Sequence, residues 1–420
     1  MPMMDSGDPG ESTLADRAGE RDQRPVRVAQ LLADVRPYRI AFYERLARRS
    51  DIHVVLYAGY PKPGHGAPDA RPDVGVPVVD VQNWFYPRRQ PPKVLWHGGA
   101  LRMLRSDAEV IVCNELVTNL SVWMLRLLHR RAGKRLVLMG FFYRPEGTGV
   151  SALVRDALRR FLRRSASALV AYTDQGRDEL LSAGVASDSV YVTWNTLDTE
   201  KLRVLAEEVR PRAAAVRRRL EIPRDASVLA FVGRLHANKR VEVAIEAARL
   251  LESRLDEPVV LMVIGDGEER EDLETRALGA PVRFVGQTYD DRELAELLSV
   301  ASLLIMPGSV GLTCVLGFSN GLPLVTTDAS ATMQTPEFTY VRNGENAVVV
   351  ERPEAESYAA VIGALLTDRE RMARLSAGAV ETAAALSMER MVDAYVAATQ
   401  HRPGRRLKRR RGEEGDPRRN

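Results

Sequence analysis

The 420-residue sequence predicts an α/β protein built from two doubly wound parallel sheets that follow one another along the chain. Short apolar runs alternate with longer stretches of helical periodicity, which is the pattern of parallel sheets covered by helices. The chain is long enough for two domains that each bury a core. A long polar helical pattern from about Asp198 to Leu220, followed by Pro223, separates the two series. Two such domains in tandem place a cleft between them.

The expected domain boundaries follow from periodicity and charge. The first domain is expected over residues 25–200 and the second over residues 201–380, with a closing helix over residues 381–400. Residues 1–24 are polar and aperiodic, and residues 401–420 form a run of mostly basic charge. Both ends are therefore expected to be disordered, because such segments cannot bury a core.

The apolar runs predict seven strands in the first series and five in the second. Those of the first series begin at Val26, Ile52, Val76, Glu109, Arg135, Ser167 and Ser189. Those of the second are SVLAFVG, VVLMVIG, VRFVG, SLLIMPG and PLVTT, each followed by a helical pattern or by the helices that close the chain. The order of strands and helices is that of two Rossmann-like units.

Composition indicates a soluble globular protein, with 45% apolar and 28% charged residues. No run of about 18 apolar residues occurs, and the N-terminus lacks the apolar core of a signal peptide, so a cytoplasmic location is expected. Cys113 and Cys314 are too few for a disulfide framework or a metal cluster. Residues 25–200 carry 25 Lys and Arg against 17 Asp and Glu, whereas residues 201–400 carry 23 against 30, so the halves are expected to meet different partners.

The first strand-to-helix turn of the second series, FVGRLHANKR, carries candidate phosphate ligands. Its strand ends at Gly233, and Arg234 and Lys239 follow beside the start of a helix. Two cations near a helix N-terminus suit a diphosphate. Taken alone, they could equally be two solvated loop residues. Similar turns farther along the series favour the binding site.

The next two turns are weaker indications of a site. VIGDGEERE places Gly265 and Asp266 at a strand end, and such a turn needs no ligand to explain it. In FVGQT, Gly286 would let a flat ring approach the backbone, and Gln287 follows it. Both turns lie at the carboxyl ends of strands, where open parallel sheets bind ligands.

The fourth turn, MPGSVGLTCV, leads into an apolar helix. Gly308 and Gly311 bracket the turn. The free backbone amides of Val310, Gly311 and Leu312 are expected to face the ligand of the first turn. The helix is expected to end at SNGLP, where a glycine caps it and a proline follows.

These turns carry a resemblance to a known family. GRLHANKR, VIGDGEE, RFVGQT and PGSVGLTCVLGFSNGLPLVTT occur in the order and at the spacings typical of the nucleotide-sugar half of the retaining GT-B glycosyltransferases of family 4. Upstream, VAQLLADVRPYRIAFYERLARR, LVAYTDQGRDELLSAG and VYVTWNTLD are similar to N-terminal segments of bacterial cell-surface polysaccharide and natural-product transferases. The resemblance spans roughly residues 26 to 400.

The resemblance implies a GT-B fold, with two Rossmann-like domains facing across a cleft. It implies a nucleoside-diphosphate sugar as donor substrate in the second domain, an acceptor mainly in the first, and no metal or other cofactor. Arg234 and Lys239 would neutralise the departing diphosphate, which gains negative charge as the sugar leaves. The donor-binding residues implied are Gly233, Gly265, Asp266, Gly286, Gln287, Gly308, Val310, Gly311 and Leu312.

Two glutamates that the family usually carries are absent. Matching the fourth turn to the family pattern puts them at Gly308 and Leu316, whose side chains accept no hydrogen bond. Glu337 and Glu345 have the same spacing, but they follow the next strand, so the match is treated as coincidence. Glu337 alone is a candidate catalytic residue facing the donor. The alternative is an exposed loop acid.

The first series supplies the candidate acceptor residues. Arg36, Tyr38 and Arg39 follow the first strand and are expected to point toward the cleft, and Asn195 lies at a later strand end. The acceptor is left open as a carbohydrate, a lipid-linked molecule or a small molecule.

A basic segment, VRDALRRFLRRS, could rest on anionic headgroups at the inner face of the plasma membrane. Its cations are Arg155, Arg159, Arg160, Arg163 and Arg164. The alternative is a solvated arginine-rich helix in a chain that prefers Arg to Lys. No nucleic-acid partner is expected, because no binding motif of that kind occurs.

The sequence therefore predicts a glycosyltransferase that retains configuration, acts without a metal and uses a nucleoside-diphosphate sugar. The two missing glutamates leave open a catalytically inactive or accessory relative that supports a partner transferase. A sugar-nucleotide epimerase with the same fold is the third possibility.

Overall fold

The structure is a computed structural model that describes residues 24–59, 73–86, 94–142, 150–328 and 334–403. The disorder expected at residues 1–23 and 404–420 lies outside these described residues. No helix among them is long and apolar enough to cross a membrane.

The first part of the chain forms a seven-stranded parallel sheet in the order β3-β2-β1-β6-β7-β8-β9. A two-stranded antiparallel hairpin, β4-β5, stands beside it. The strands are β1 Val26–Leu32, β2 Ile52–Ala58, β3 Val78–Asp80, β4 Asn83–Tyr86, β5 Val94–His97, β6 Val110–Asn114, β7 Arg135–Gly140, β8 Ala168–Ala171 and β9 Val190–Val192. All seven predicted strands are confirmed, whereas the hairpin was not predicted from the sequence.

The second part forms a six-stranded parallel sheet in the order β12-β11-β10-β13-β14-β15. Its strands are β10 Ser227–Val232, β11 Val259–Ile264, β12 Val282–Gly286, β13 Leu303–Met306, β14 Leu324–Thr327 and β15 Ala347–Val350. The five predicted strands are confirmed, and β15 is an addition. β11 is buried at every position, as expected for a central strand covered on both faces.

Helices cover both faces of the two sheets. They are α1 Ile40–Ala47, α2 Ala100–Arg105, α3 Leu120–Leu128, α4 Val150–Arg163, α5 Asp174–Ser182, α6 Thr199–Val209, α7 Ala213–Arg219, α8 Val241–Arg254, α9 Arg270–Arg276, α10 Asp291–Leu298, α11 Thr313–Ser319, α12 Ala355–Thr367, α13 Arg369–Ala385 and α14 Met388–Gln400. Many begin at a side chain that caps the first turn, as Thr173 does for α5 and Asp290 for α10.

The polar pattern between the two sheets is not one helix. It divides into α6 and α7, separated by the short 3₁₀ turn Arg210–Arg212 that contains Pro211. Proline has no backbone N–H and its ring clashes with the preceding turn, so it interrupts a continuous helix.

The last helix, α14, returns to the first sheet. Met388, Met391 and Tyr395 belong to the same buried cluster as Val28 on β1. The Tyr395 hydroxyl donates a hydrogen bond of 2.9 Å to the side-chain carbonyl of Gln30 on β1. The chain therefore crosses between the two sheets twice.

Each sheet has a switch point, where the strand order turns back, and ligands of doubly wound sheets bind there. In the first sheet this point lies between β1 and β6, and in the second between β10 and β13. The first and fourth turns singled out in the sequence follow β10 and β13.

Candidate functional site

The first turn of the second sheet packs tightly against its neighbours. A Cβ at Gly265 would collide with the carbonyl oxygen of Gly233, and one at Gly267 with that of Leu235. Gly265 also has a φ of 156°, which side chains disfavour. The glycines of the GDG sequence thus have a structural requirement in this packing, apart from any ligand.

The side chain of Lys239 reaches from the first turn to the fourth. Its ammonium group donates a hydrogen bond to the backbone carbonyl of Ser309. A Cβ at Gly233 would lie 3.9 Å from the Lys239 Cε, and one at Gly311 would lie 3.8 Å from its Nζ. Burial lowers the pKa of Lys239 to about 8, although the carboxylate of Glu337 opposes this shift. Lys239 is therefore a partly buried cation at the switch point, whereas Arg234 on the same turn is exposed.

The fourth turn differs from the expectation that its amides are free. The Val310 amide donates to the side-chain carbonyl of Gln334 at 3.1 Å, and the Gly311 amide donates to the hydroxyl of Thr335 at 2.9 Å. The Gln334 amide group in turn donates to the carbonyl of Gly308 at 3.1 Å. The prediction of free amides at these two positions is wrong, because a segment after β14 folds back onto the turn.

The positions of the two absent glutamates are closed by packing. A Cβ at Gly308 would collide with the backbone carbonyl oxygen of Asn238, which also accepts a hydrogen bond of 3.0 Å from the Ser309 amide. Leu316 is buried on α11 within the core of the second sheet. The first turn therefore occupies the space that a side chain at Gly308 would need.

Glu337 is buried and stands between the two sheets. It is 4% exposed and lies on the 3₁₀ turn Pro336–Tyr340. Its carboxylate accepts a hydrogen bond from the side-chain amide of Asn195, which follows β9 of the first sheet. The alternative of an exposed loop acid is wrong. The buried Glu337 carboxylate thus lies near the partly buried cation Lys239, close enough to raise the pKa of the lysine.

Three of the four acceptor candidates, Arg36, Tyr38 and Arg39, line a cavity of about 180 Å³ at the switch point of the first sheet. Arg36 donates to Asp34 at 2.9 Å, and Tyr38 is 46% exposed. Arg39 lies over the Tyr38 ring and donates to the side-chain carbonyl of Asn195. The residues at the cavity include Asp34, Arg36, Tyr38, Arg39, Asn114 and Tyr172.

A continuous polar path joins this cavity to Lys239. Arg39 donates a hydrogen bond to Asn195, and Asn195 donates one to Glu337. The negative charge of Glu337 in turn raises the pKa of Lys239. The Tyr340 hydroxyl lies 3.2 Å from the backbone carbonyls of Tyr172 and Asn195. It therefore ties the 3₁₀ turn that carries Glu337 to the first sheet. The structure brings Arg39, Asn195, Glu337 and Lys239 into one region.

Other predicted donor residues lie farther from this path. Gly286 has a φ of 83° and open space where a Cβ would be, so it can admit a ligand atom. Gln287 is exposed, and the Asp266 carboxylate accepts from the Gly267 amide at 2.7 Å. The roles of these residues remain predictions.

Sequence reasoning missed four residues of the site. Asn114 is the last residue of β6 and Tyr172 directly follows β8, so the strand-end rule could have found them. Gln334 and Thr335 could not be found that way, because their role depends on a segment folding back over a turn. Among the described residues, no group of three or more His, Cys, Asp or Glu side chains could hold a metal ion.

Comparison with known proteins places the second sheet in context. Residues 213–382 match the family model for glycosyl transferases group 1. The matched segment contains all four turns and Glu337.

Among curated relatives, D-inositol 3-phosphate glycosyltransferase 1 of Catenulispora acidiphila is 32% identical over 249 residues, which is 56% of this chain and 57% of the relative. The lipopolysaccharide core biosynthesis glycosyltransferase LpsE of Rhizobium meliloti is 30% identical over 198 residues, 46% of this chain and 55% of the relative. The chain thus spans little more than half the length of these two relatives.

Solved structures extend the likeness over both sheets. Anabaena HepE in complex with UDP superposes with a TM-score of 0.64 at 15% identity, covering 88% of this chain and 98% of the other. A glycosyltransferase from Rickettsia africae gives a TM-score of 0.65 at 11% identity, covering 89% and 98%. At such low identity the likeness concerns the fold, and the chain has the GT-B arrangement of two Rossmann-like units.

Proposed function

We propose that this protein is a glycosyltransferase that moves a sugar from a nucleoside-diphosphate sugar to an acceptor, with retention of configuration and without a metal ion. One observation carries the proposal: Lys239, a partly buried cation at the switch point of the second sheet, lies on the matched family segment and is linked through Glu337 and Asn195 to a polar cavity on the first sheet. Retention and independence of metal are taken from the family resemblance.

Lys239 and Arg234 would bind the leaving diphosphate and neutralise its charge. Breaking the bond between sugar and phosphate leaves negative charge on the diphosphate and positive character on the sugar. A partly buried ammonium group stabilises the former strongly, because few waters screen it. Binding an anion would also raise the pKa of Lys239 from about 8 and keep it charged.

The turn at residues 308–312 would complete the phosphate site. Its Val310 and Gly311 amides donate to Gln334 and Thr335, so a phosphate would have to displace these side chains. Such an exchange replaces neutral hydrogen bonds by charge-assisted ones, which are about twice as strong. The segment after β14 would therefore move when the donor binds.

Glu337 would supply a carboxylate that the family pattern places elsewhere. The positions of the two absent glutamates cannot hold an acid in this packing, yet Glu337 reaches the same cleft from the segment after β14. A buried negative charge near the sugar would stabilise positive character at the reacting carbon. The acceptor would enter from the cavity beside Arg36, Tyr38 and Arg39.

The cellular setting is also part of the proposal. A cytoplasmic enzyme of cell-surface polysaccharide synthesis agrees with the family resemblance and with the similarity to LpsE, a lipopolysaccharide core biosynthesis glycosyltransferase. The acceptor would be a carbohydrate, a lipid-linked molecule or a small molecule.

A second candidate is an accessory protein of the same fold without catalytic activity. The loss of both family glutamates, at Gly308 and Leu316, favours it. It would bind a nucleotide or a partner protein without transferring a sugar.

A panel of UDP, GDP, ADP and TDP, added without metal in a thermal-shift assay, tests the donor site. One nucleotide at 100 times its dissociation constant should raise the free energy of unfolding by about 2.7 kcal/mol. Arg234→Ala and Lys239→Met should abolish the shift. Arg218→Ala, on the exposed side of α7, is the matched control and should preserve it.

The results separate the two candidates. A selective shift followed by hydrolysis or transfer of the matching sugar nucleotide would support the transferase. A shift without turnover would support the accessory protein. The absence of any shift at millimolar nucleotide would overturn the donor site.

A further inference from the structure

Helix α4, Val150–Arg163, presents apolar side chains to solvent. Leu153 is 68% exposed, Val154 52%, Leu158 39% and Phe161 44%. Residues three or four positions apart lie on one side of a helix, so Val154, Leu158 and Phe161 form one apolar face, with the exposed Leu153 at its edge. The inward side instead carries Asp156, Arg159 and Arg163, which are partly buried. An amphipathic surface helix ordinarily turns its apolar stripe inward, so α4 has the reverse orientation.

Helix α3, Leu120–Leu128, extends this apolar face. The Trp123 ring stacks on the Phe161 ring with centroids 6.2 Å apart. Leu120 is 49% exposed and Leu127 is 61% exposed. We define the α3–α4 face as the surface formed by Leu120, Trp123, Leu127, Leu153, Val154, Leu158 and Phe161.

Hydrogen bonds and ion pairs hold α4 in this orientation. Arg163 makes a two-pronged ion pair with Glu115, which follows β6. Arg126 on α3 donates to the Phe161 carbonyl at 3.0 Å and lies 3.8 Å above the Phe161 ring. Both contacts hold α4 with Arg163 inward and the apolar face outward.

Exposed arginines border the apolar residues. Arg155 and Arg160 lie on α4, and Arg164 follows it directly. The one acidic residue of α4, Asp156, lies 3.6 Å from Arg159 and is only partly exposed. The exposed charges in the described part of α4 are therefore all positive.

We propose that the α3–α4 face docks on the surface of an anionic lipid membrane. A helix with Leu and Phe on one side and Arg beside them inserts its apolar side chains at the boundary of headgroups and acyl chains. A surface whose exposed charges are all positive complements anionic headgroups, and each arginine near the membrane adds electrostatic attraction. A protein partner would need acidic groups to match the same border, and it becomes an outcome of the test.

The docked face lies beside the candidate acceptor cavity. Phe141 follows β7, and its ring meets the Tyr172 ring edge-on at 5.1 Å, while Tyr172 lines the cavity. The next residue, Phe142, lies 4.9 Å beneath the Arg163 guanidinium of α4. A lipid-linked acceptor held in the membrane would therefore reach the cavity along a short aromatic path. This second step depends on the proposed function, whereas the docking itself does not.

Co-sedimentation of the full chain with vesicles tests the docking. Vesicles of phosphatidylcholine with and without phosphatidylglycerol should be compared at low and high salt. We expect binding to the anionic vesicles that falls as salt rises, because the arginines are exposed. Replacing Arg155, Arg160 and Arg164 together by Gln should lower the partition coefficient on the order of 100-fold. Replacing Leu153, Val154 and Leu158 together by Gln should lower it roughly tenfold or more.

Matched variants control for charge and apolarity elsewhere. Arg218→Gln with Arg219→Gln removes exposed arginines of α7, and Leu278→Gln removes a side chain that is 75% exposed on the second unit. These variants should bind vesicles as the native protein does. All variants should retain the native melting temperature and nucleotide shift, which separates a failure of docking from a failure of the proposed function.

Two results would overturn the proposal. Equal vesicle binding by the native protein and both α4 variants would place any membrane contact elsewhere, for example in the basic residues beyond 403. No vesicle binding, with a change of solution mass in the Leu153, Val154 and Leu158 variant, would assign the face to a protein interface.

Discussion

At the scale of single residues, Lys239 combines two properties that oppose each other. Its ammonium group is needed as a charge for a diphosphate, yet burial disfavours that charge and lowers its pKa to about 8. Glu337 offsets part of the burial effect without removing it. The protonation of Lys239 therefore changes close to neutral pH, which is unusual for a lysine.

Nucleotide affinity should depend on pH through Lys239. Below about pH 8 the folded protein holds a charged lysine, and above it the lysine loses its proton. Affinity for the selected nucleoside diphosphate should therefore fall roughly tenfold or more from about pH 7 to about pH 9.5, as a charged hydrogen bond is lost. Titration calorimetry measures this dependence. Lys239→Met should bind weakly at every pH, and an equal slope in this variant would assign the titration to another group.

The stability of the unliganded protein should change in the opposite direction. The pKa of Lys239 is lower in the folded state than its ordinary value of 10.5. Between about pH 8 and 10.5 the unfolded chain binds more protons, so this residue makes the free energy of unfolding rise with pH. Below pH 8 the cost of burying the charge is fully present.

Gly308 cannot be restored to the family's glutamate. Gly308→Ala and Gly308→Glu should lower the free energy of unfolding by roughly 2 kcal/mol or more, because a Cβ would overlap the Asn238 carbonyl. Gly363→Ala is the control. Gly363 lies within α12, and a Cβ there would lie 3.5 Å from Leu251 on α8, an ordinary van der Waals contact. It should be neutral or stabilise by about 0.5–1 kcal/mol. Urea denaturation compares them, and a stable, more active Gly308→Glu would contradict the packing argument.

At the scale of elements, the segment after β14 contacts both the fourth turn and the first sheet. Gln334 and Thr335 cover the fourth turn, and Glu337 enters the cleft as a buried acid. The segment begins at a strand end and returns to the neighbouring turn, so it is positioned by the sheet itself. One short element thus links the fourth turn to the first sheet through Asn195.

Removing the charge of Glu337 should separate its electrostatic role from its packing role. Glu337→Gln retains an oxygen that accepts from Asn195, so unfolding should change by less than about 1 kcal/mol. Transfer should fall roughly 100-fold if the carboxylate stabilises the transition state. The pKa of Lys239 should also fall further, which moves the pH limit of nucleotide binding toward acid.

Glu345→Gln is the matched control for this experiment. Glu345 is exposed and lies 3.1 Å from Arg342, away from the contact between the sheets. Transfer rates and pH profiles of the two variants should be measured together. Equal transfer by Glu337→Gln and the native protein would remove Glu337 from the proposed mechanism.

At the scale of the whole molecule, α14 ties the end of the chain to the sheet at its beginning. Tyr395 is fully buried between them and bonds to Gln30. Arg45 on α1 adds ion pairs of 2.9 Å to Asp198 at the start of α6 and 2.6 Å to Glu389 on α14. The junction between the units is therefore held on both crossings of the chain.

Two buried tyrosines provide a matched test of this tie. Tyr395→Phe should lower the free energy of unfolding by about 1–3 kcal/mol, because Gln30 loses its partner in a buried site. Tyr358 is equally buried on α12, but its hydroxyl has no hydrogen-bond partner among the described residues. Tyr358→Phe should therefore be neutral or stabilising. Equal losses in denaturant melts of both variants would contradict the assignment.

Much of the fold was predictable because it depends on local pattern. Seven strands of the first sheet and five of the second appear as apolar runs between helical patterns, and the turns at Gly233 and Gly308 were located from strand ends. The hairpin β4-β5 was missed, since short strands of mixed polarity have no distinct period, and β15 was missed because its apolar run is only four residues long. Pro211 shows that one residue can divide a helical pattern.

The sequence by itself determined the two parallel sheets and the cations placed at a strand end of the second, because strand periodicity and turn residues act between near neighbours. Only the tertiary structure decided which groups meet across the chain. The close approach of Asn238 to Gly308, the burial of Glu337 against Asn195 and the outward apolar face of α4 all join segments far apart in sequence. Such contacts depend on how sheets and turns pack together, and local periodicity carries no information about that packing.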